Sequence, residues 1–206
     1  MLGLEMDVAE LNDLIARAQQ KDASAFDVLV ERYGSRLYGY FYRATGRRAD
    51  AEDLLQDLFV RLVSTIGQYE HDGRFDAWLF RIATNLVRDR IRRARTWRES
   101  RRLDADTSAL EDGLPGRLEI MRSGPHESLG REEELDRLQW AIGQLPEAER
   151  TVVLLRHFSE MPFREIADLM GTPLGTALAR AHRGLARLRE LMETDATQAD
   201  RSVGAD

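Results

Sequence analysis

The apolar residues of this chain recur three and four positions apart, which is the spacing of one buried face of an α-helix. The pattern fills two blocks, residues 8–102 and residues 132–193. Residues 107–130 between the blocks are polar, acidic and punctuated by Gly, Pro and Ser, a composition typical of a flexible linker. We therefore predict an all-α fold of two small helical domains joined by a flexible acidic linker. Breaks within the first block are expected at residues 21–24, 45–46 and 67–74.

The same pattern predicts the domain boundaries. The first helical domain takes residues 1–102, the linker takes 103–131 and the second domain takes 132–193. Residues 194–206 contain almost no apolar side chain, so we predict a disordered tail there.

Composition narrows the class of protein. Hydrophobic residues make up 43% of the 206 residues, which is enough to form two cores. The absence of cysteine excludes disulfides and thiolate metal sites and favours a reducing cytoplasm. The first residues, MLGLEMDVAELND, are acidic and lack the apolar run of a signal peptide or a membrane span. We expect a cytoplasmic protein without membrane insertion.

Charge is segregated along the chain, although the formal net charge is only −6. Residues 74–102 contain ten arginines and three acidic residues, whereas residues 103–136 contain ten acidic residues and three arginines. This arrangement indicates basic working surfaces joined by acidic, solvated segments.

A helix over residues 50–66 is predicted to carry a row of polar groups opposite its core side. Leu54 also falls on that outer side, where a purely solvated face would not place it. One interpretation is an ordinary amphipathic helix with favourable acids in its first turns. The other is a docking surface for a basic protein, with Leu54 as an apolar contact, and helix geometry alone favours the first. The predicted core side consists of Leu55, Leu58, Phe59, Leu62 and Ile66. The opposite side, named here the acidic face, consists of Asp50, Asp53, Gln56 and Asp57.

The helix predicted over residues 75–93 carries a row of groups suited to single-stranded DNA. Arginine binds phosphates, and flat side chains stack on unpaired bases. A core aromatic next to a solvated arginine face explains the same pattern equally well. The predicted buried side consists of Phe75, Leu79, Ile82, Ala83 and Leu86. The adjacent row, named here the basic stripe, consists of Trp78, Arg81, Asn85, Arg88 and Arg92.

The second block predicts a helix-turn-helix. Pro162 opens a short helix, Gly171 suits the left-handed position that ends it, and Thr172 can cap the next helix. A hydroxyl followed by arginines on the exposed side of that next helix favours entry into the DNA major groove over a plain helical hairpin. The predicted inner side consists of Leu174, Leu178, Ala181, Leu185 and Leu188. The opposite side, named here the arginine row, consists of Thr176, Arg180, Arg183 and Arg187.

The sequence argues against an enzyme. It contains four histidines, but no metalloprotease spacing, no glycine-rich phosphate loop and no nucleophile-elbow motif. We predict no catalytic residue, no metal, no cofactor and no small-molecule substrate.

Four segments together resemble one protein family, the extracytoplasmic-function (ECF) subfamily of bacterial sigma-70 factors. RADAEDLLQDLFVRL (48–62) resembles the helix that binds core RNA polymerase. GRFDAWLFRIATNLVRDRIRR (73–93) resembles the segment that melts the promoter and reads its −10 element. LPEAERTVVLLRHFSEMPFREIADLMGTPLGTALARAHRGLARLR (145–189) resembles the −35-reading helix-turn-helix domain, and DLIARAQQKDASAFDVLVERYGSRLYGY (13–40) resembles the family's N-terminal helices.

The resemblance implies a role for each surface. The acidic face, with Leu54 and Phe59, is expected to dock on the clamp helices of core RNA polymerase, which reverses the preference from helix geometry. The basic stripe and Arg74, in the 67–74 loop, are expected to hold melting promoter DNA. The arginine row is expected to read or anchor the −35 element, and the acidic linker is expected to follow the RNA-exit path. An anti-sigma factor is a further partner that the family often has.

The sequence departs from the family in the recognition helix. The family usually places Lys and Ser where this chain has Leu178 and Ala179, so fewer phosphate contacts and an unusual −35 preference are expected. The alternative interpretation is a free-standing helix-turn-helix regulator that does not join core polymerase. A pull-down with core polymerase separates the two interpretations.

Overall fold

The structure, a computed structural model, describes residues 7–70, 72–104 and 129–203, with side chains described in 7–70, 72–97 and 134–193. Within these ranges the chain is helical, with turns between the helices and no strand. The helices are α1 (Val8–Gln19), α2 (Ala23–Thr45), α3 (Arg48–Thr65), a 3-10 turn (Ile66–Gln68), α4 (Phe75–Asp104), α5 (Leu129–Gln144), α6 (Glu147–Phe158), α7 (Phe163–Met170) and α8 (Leu174–Val203). The predicted all-α fold is confirmed.

In the first helical unit, α1–α4, local capping sets both ends of α2. The Asp22 carboxylate accepts a hydrogen bond from the Ser24 backbone N–H at 2.9 Å and starts α2. Gly46 ends α2 in the left-handed conformation at φ 73°. Aromatic rings fill the core between α2 and α4, where Tyr33, Tyr40 and Phe80 are fully buried.

The second unit, α5–α8, contains the predicted helix-turn-helix. Pro146 and Pro162 lie at the starts of α6 and α7, and Gly171 ends α7 at φ 62°. The short α7 then leads through the turn into α8. The predicted cap at Thr172 is wrong, because its hydroxyl oxygen is buried and has no hydrogen-bond partner among the described residues.

The two units pack against each other, so that one apolar core runs through both. Phe158 at the end of α6 lies on α2, with its ring centroid 6.4 Å from that of Tyr40. The Arg36 guanidinium donates to the Phe158 carbonyl at 3.0 Å, and Arg43 donates to the Gln139 amide oxygen at 3.0 Å. The contact therefore joins the C-terminal half of α2 to α5 and α6.

Two predictions about irregular segments have different outcomes. The predicted disordered tail from Thr194 is wrong as far as Val203, because α8 continues to that residue. No Gly or Pro interrupts 194–203, and its alanines favour helix. The core of the predicted flexible linker, residues 105–128, lies outside the described residues.

None of the helices in the described ranges is both long and apolar enough to cross a membrane.

Candidate functional site

The acidic face lies on the solvent side of α3, as predicted, but its apolar contact is not Leu54. Leu54 is 3% exposed and belongs to the buried stripe of α3 with Ala51, Leu58 and Leu62. The prediction that Leu54 lies on the outer side of α3 is therefore wrong. The apolar side chains that α3 exposes are instead Val60 (71%) and Val63 (53%), which the sequence reasoning missed.

The acidic face therefore combines charge with apolar side chains. Asp53, Gln56 and Asp57 are exposed, whereas Phe59 is half-buried and Asp50 is largely covered. Exposed valines next to carboxylates form a surface suited to a basic partner with an apolar centre.

One arginine of α4 ties the acidic face to the neighbouring helix. The Arg90 guanidinium bonds the Asp50 carboxylate and lies 3.4 Å from the Asp53 carboxylate. The hydrogen bond with Asp50 raises the pKa of Arg90. Part of the acidic face is thus neutralised inside the protein, whereas no ion pair to Asp57 is found among the described side chains.

The basic stripe is placed along α4 as predicted. Arg81, Asn85 and Arg92 are exposed, and Arg88 is half-buried. Trp78 is half-buried, with its ring centroid 4.9 Å from that of Tyr69 and 5.6 Å from that of Phe75. The Trp78 ring is therefore held in an aromatic cluster at the start of the stripe.

A cavity of about 290 Å³ lies beside Trp78. The 67–74 loop and α4 form one wall with Tyr69, Arg74 and Arg81, and α7 forms the other wall. Burial, together with the nearby Asp72 carboxylate, raises the pKa of Tyr69 to about 12. The cavity offers aromatic surface, arginine donors and a tyrosine hydroxyl, which are groups that can hold an unstacked base. Four carboxylates also line it, those of Glu70, Asp72, Glu165 and Asp168.

The register of α8 differs from the prediction. Leu174, Leu178 and Leu185 were predicted to face inward, but they are 45%, 44% and 53% exposed. The other two predicted inner residues do face inward, since Ala181 is buried and the half-buried Leu188 packs against the core. Ala177, which was not predicted to face inward, is also buried. At Gly184 an added Cβ would lie only 2.9 Å from the Val153 side chain. Where α8 comes closest to α6, small residues therefore form its inner side.

The arginine row is exposed only in part, and two of its members are anchored to the protein. Arg183 Nε lies 3.0 Å from one oxygen of Glu149, and Arg187 lies 3.7 Å from the other. Thr176 and Arg180 are half-buried. The sequence reasoning missed Arg189, which is exposed on α8 and is equally able to contact a phosphate.

The described side chains include no group of three or more His, Asp or Glu arranged to hold a metal ion.

Comparison with known proteins identifies the family. The family described as Sigma-70 region 2 matches residues 29–98, and Sigma-70, region 4 matches residues 135–188. The chain is 34% identical over 178 residues to the ECF RNA polymerase sigma factor SigW of Bacillus subtilis, covering 85% of this chain and 93% of that protein. It is 38% identical over 168 residues to the RNA polymerase sigma factor CarQ of Myxococcus xanthus, covering 82% of this chain and 89% of that protein.

The fold has a solved counterpart. CnrH, solved in complex with the cytosolic domain of CnrY, superposes with a TM-score of 0.62 at 26% identity, covering 88% of this chain and 96% of that one. The two matched regions lie in the two helical units, α3 and α4 in the first and the helix-turn-helix in the second. This chain belongs to the ECF family of RNA polymerase sigma factors.

Proposed function

We propose that the chain is a promoter-specificity subunit that binds core RNA polymerase and directs it to −10 and −35 elements through three separate surfaces. The observation that carries the proposal is their arrangement. One chain carries all three surfaces: an exposed acidic and apolar face on α3, an arginine and aromatic stripe on α4, and a helix-turn-helix in the second unit. They follow one another in the order in which Sigma-70 region 2 and region 4 match the chain.

The acidic face of α3 serves as the docking surface for core polymerase. Asp53, Gln56 and Asp57 supply its polar part, and Val60 and Val63 supply its apolar part. Asp50 acts through Arg90, which fixes α4 against α3. Docking therefore also positions the DNA-binding helix on the polymerase.

The basic stripe of α4 and Arg74 hold the −10 region. Arg81, Arg88 and Arg92 bind phosphates, and Trp78 and its cavity receive an unpaired base. Unstacking a base costs a few kcal/mol, which stacking and hydrogen bonds in the cavity return.

The second unit reads the −35 region with α8. Thr176 and Arg180 lie near the start of the helix, where base contacts are made in a helix-turn-helix, and Arg183 and Arg187 follow one and two turns later. The exposed Leu178 replaces a polar group of the family, which predicts an apolar contact such as a thymine methyl.

The polymerase performs the chemistry, and this chain is not itself an enzyme. In this proposal the docking and −10 surfaces belong to the first domain, residues 1–102, and the −35 surface belongs to the second domain, residues 132–193. Residues 103–131 join the two domains. An anti-sigma factor is a further partner, and the cytoplasm is the compartment where core polymerase and DNA are available.

The test is a pull-down of purified core RNA polymerase with the full chain, followed by transcription from the promoter region upstream of the chain's own gene. Stoichiometric holoenzyme and a discrete transcript are the expected result. A chain that binds promoter DNA but leaves core polymerase in the unbound fraction would be a free-standing regulator, and the proposal would be wrong.

A further inference from the structure

We propose that Gln19, at the end of α1, is a positioning residue for the cavity that receives an unpaired −10 base. This inference rests on the proposed function, because it takes the cavity beside Trp78 to be the base-binding site. Sigma-70 region 2 matches the chain only from residue 29 onward, and α1 ends before that residue. A helix outside the matched region thus contributes to the −10 surface.

The first support is the pair of hydrogen bonds that the Gln19 side chain donates. Its amide nitrogen lies 2.8 Å from the Tyr69 carbonyl oxygen and 3.1 Å from the Ile66 carbonyl oxygen. A primary amide has two N–H groups, so one side chain can satisfy both carbonyls. The Tyr69 N–H closes the 3-10 turn by donating to the same Ile66 carbonyl at 3.1 Å. Gln19 therefore holds the backbone from which the 67–74 loop starts.

The second support is the burial of the turn that Gln19 holds. Ile66 and Tyr69 are 2% and 6% exposed, and Ile15 and Ala18 of α1 are buried in the same core. A buried carbonyl that loses its donor either moves to reach water or stays unsatisfied, and both are unfavourable. Removing the Gln19 amide is therefore expected to displace the turn.

The third support is the Tyr69 ring, which links the turn to the cavity. Its centroid lies 4.9 Å from that of Trp78 and 5.4 Å from that of Phe75, and both Tyr69 and Trp78 line the cavity. The Tyr69 hydroxyl lies 3.4 Å from the Asp72 carboxylate, which accepts the Arg74 backbone N–H at 3.0 Å. A shift of the Tyr69 backbone therefore alters both the support of the Trp78 ring and the position of Arg74.

The end of α1 is itself anchored on both sides of Gln19. Before it, Arg17 donates to the Asp22 carboxylate at 2.9 Å and to the Ser24 hydroxyl at 2.7 Å. After it, the chain turns directly into α2, which the same Asp22 carboxylate caps. The Gln19 amide therefore reaches the turn from a fixed helix end, so that it can place the turn.

The test compares holoenzymes assembled from core RNA polymerase and the full chain. Gln19→Met keeps the length of the side chain and removes its donors, and Gln19→Glu keeps its shape but places oxygens against the two carbonyls. Gln20→Met is the matched control, because it makes the same exchange at the next residue, which is exposed. Only assembled holoenzyme is measured, so a variant that folds poorly lowers the yield and not the affinity.

The probe is a labelled oligonucleotide with the non-template sequence of the −10 region upstream of the chain's own gene. Each base is replaced in turn by an abasic site, and fluorescence anisotropy measures the affinity of each holoenzyme for each oligonucleotide. For the wild type and Gln20→Met, the abasic site at the captured base should weaken binding at least about fivefold, because a stacked base is lost. Both Gln19 variants should bind the intact oligonucleotide at least about threefold more weakly, and that abasic site should then weaken their binding less than about twofold.

The same abasic effect in the wild type and in both Gln19 variants would overturn the proposal, whether or not the intact oligonucleotide binds more weakly. Gln19 would then support the fold without shaping the cavity. In that case the wild-type holoenzyme still captures a base, so only the role of Gln19 is wrong. If no abasic site weakens binding of the wild-type holoenzyme, the cavity does not hold a base, and the −10 part of the proposed function is wrong together with this inference.

Discussion

Arg183 Nε on α8 donates to the Glu149 carboxylate on α6 at 3.0 Å, and this contact orients the helix that we propose reads the −35 element. Glu149 is the one charged residue that is buried among the described side chains, and it also lies 3.7 Å from Arg187. Arg183 and Arg187 therefore hold α8 in place while they remain exposed.

Replacing Glu149 should weaken the second unit. Glu149→Gln keeps the shape of the side chain but removes the charge that both arginines contact, so we expect a loss of about 1 kcal/mol because the arginines are half-exposed and screened. Urea unfolding measures the free energy. The control is Glu147→Gln, an exposed acid in the same first turn of α6. Equal stability of the two variants would mean that the contact is incidental.

Reversing the charge of the acidic face should abolish holoenzyme formation. Asp53→Arg with Asp57→Arg turns two exposed carboxylates of α3 into cations that repel a basic partner, while the buried stripe stays intact. Size-exclusion chromatography with core polymerase measures assembly, and circular dichroism checks the fold. The control exchanges two exposed acids outside the face, Asp13→Arg with Asp27→Arg, and should assemble normally. Assembly of the first variant would contradict the docking role.

The exposed and buried apolar residues of α3 should behave differently. Val60→Ser alters a side chain that is 71% exposed, so stability should change by less than about 0.5 kcal/mol while affinity for core polymerase falls. Leu54→Ala empties a fully packed position and should cost about 2–5 kcal/mol of stability. Unfolding curves and polymerase-binding isotherms are measured for both. If Val60→Ser binds like the wild type, the apolar centre lies elsewhere.

Arg180 should be the member of the arginine row that most affects −35 binding, because no anchoring ion pair to it is found in the described part of the chain. Arg180→Ala is expected to weaken binding by about 1–3 kcal/mol if it contacts a base. Electrophoretic mobility shifts on matched and scrambled −35 duplexes measure the loss, with the exposed Arg61→Ala on α3 as the control. A loss that is equal on both duplexes would identify a phosphate contact and refute base reading.

Alkaline pH should destabilise the first unit through Tyr40. Burial raises the pKa of Tyr40 to about 12, and its hydroxyl lies 3.1 Å from that of Thr84. Because the pKa in the folded chain lies above the unfolded value of 10, the contribution of Tyr40 is complete below pH 10 and is lost as the pH rises toward 12.

The measurement for this prediction compares unfolding free energies of the wild type and Tyr40→Phe at pH 8 and pH 11. The wild type should lose more stability between the two pH values than the variant does. At pH 8 the variant should be about 1 kcal/mol less stable, because it lacks the hydrogen bond to Thr84. Identical pH dependence would show that Tyr40 does not titrate in this range.

Most of the helices could be predicted from the sequence, but two helical faces could not. In α3 the buried side includes Ala51, whose small side chain adds little to a hydrophobic pattern. The larger Leu55 and Phe59 therefore shift the predicted core side of the helix toward themselves, which puts Leu54 on the predicted outer side. In α8 the leucines were placed inside because they are large. The interior needed small residues there, since α6 approaches so closely that Gly184 has no room for a side chain. Size and polarity alone do not report how near a neighbouring helix lies.

The packing of the two units could not be predicted for a related reason. Gly39 and Phe158 are far apart in the sequence, and nothing in the pattern around either residue indicates that they meet. Helical periodicity reports which residues face a core, but not which distant helix completes it.

The central claim is that this chain gives core RNA polymerase a promoter preference. The most direct test is transcription of fragmented genomic DNA from the source organism by core polymerase with and without the chain, with 5′ ends mapped by sequencing. The account predicts a new set of start sites that share one −10 and one −35 sequence and disappear with Asp53→Arg and Asp57→Arg. The same start sites with and without the chain would contradict it.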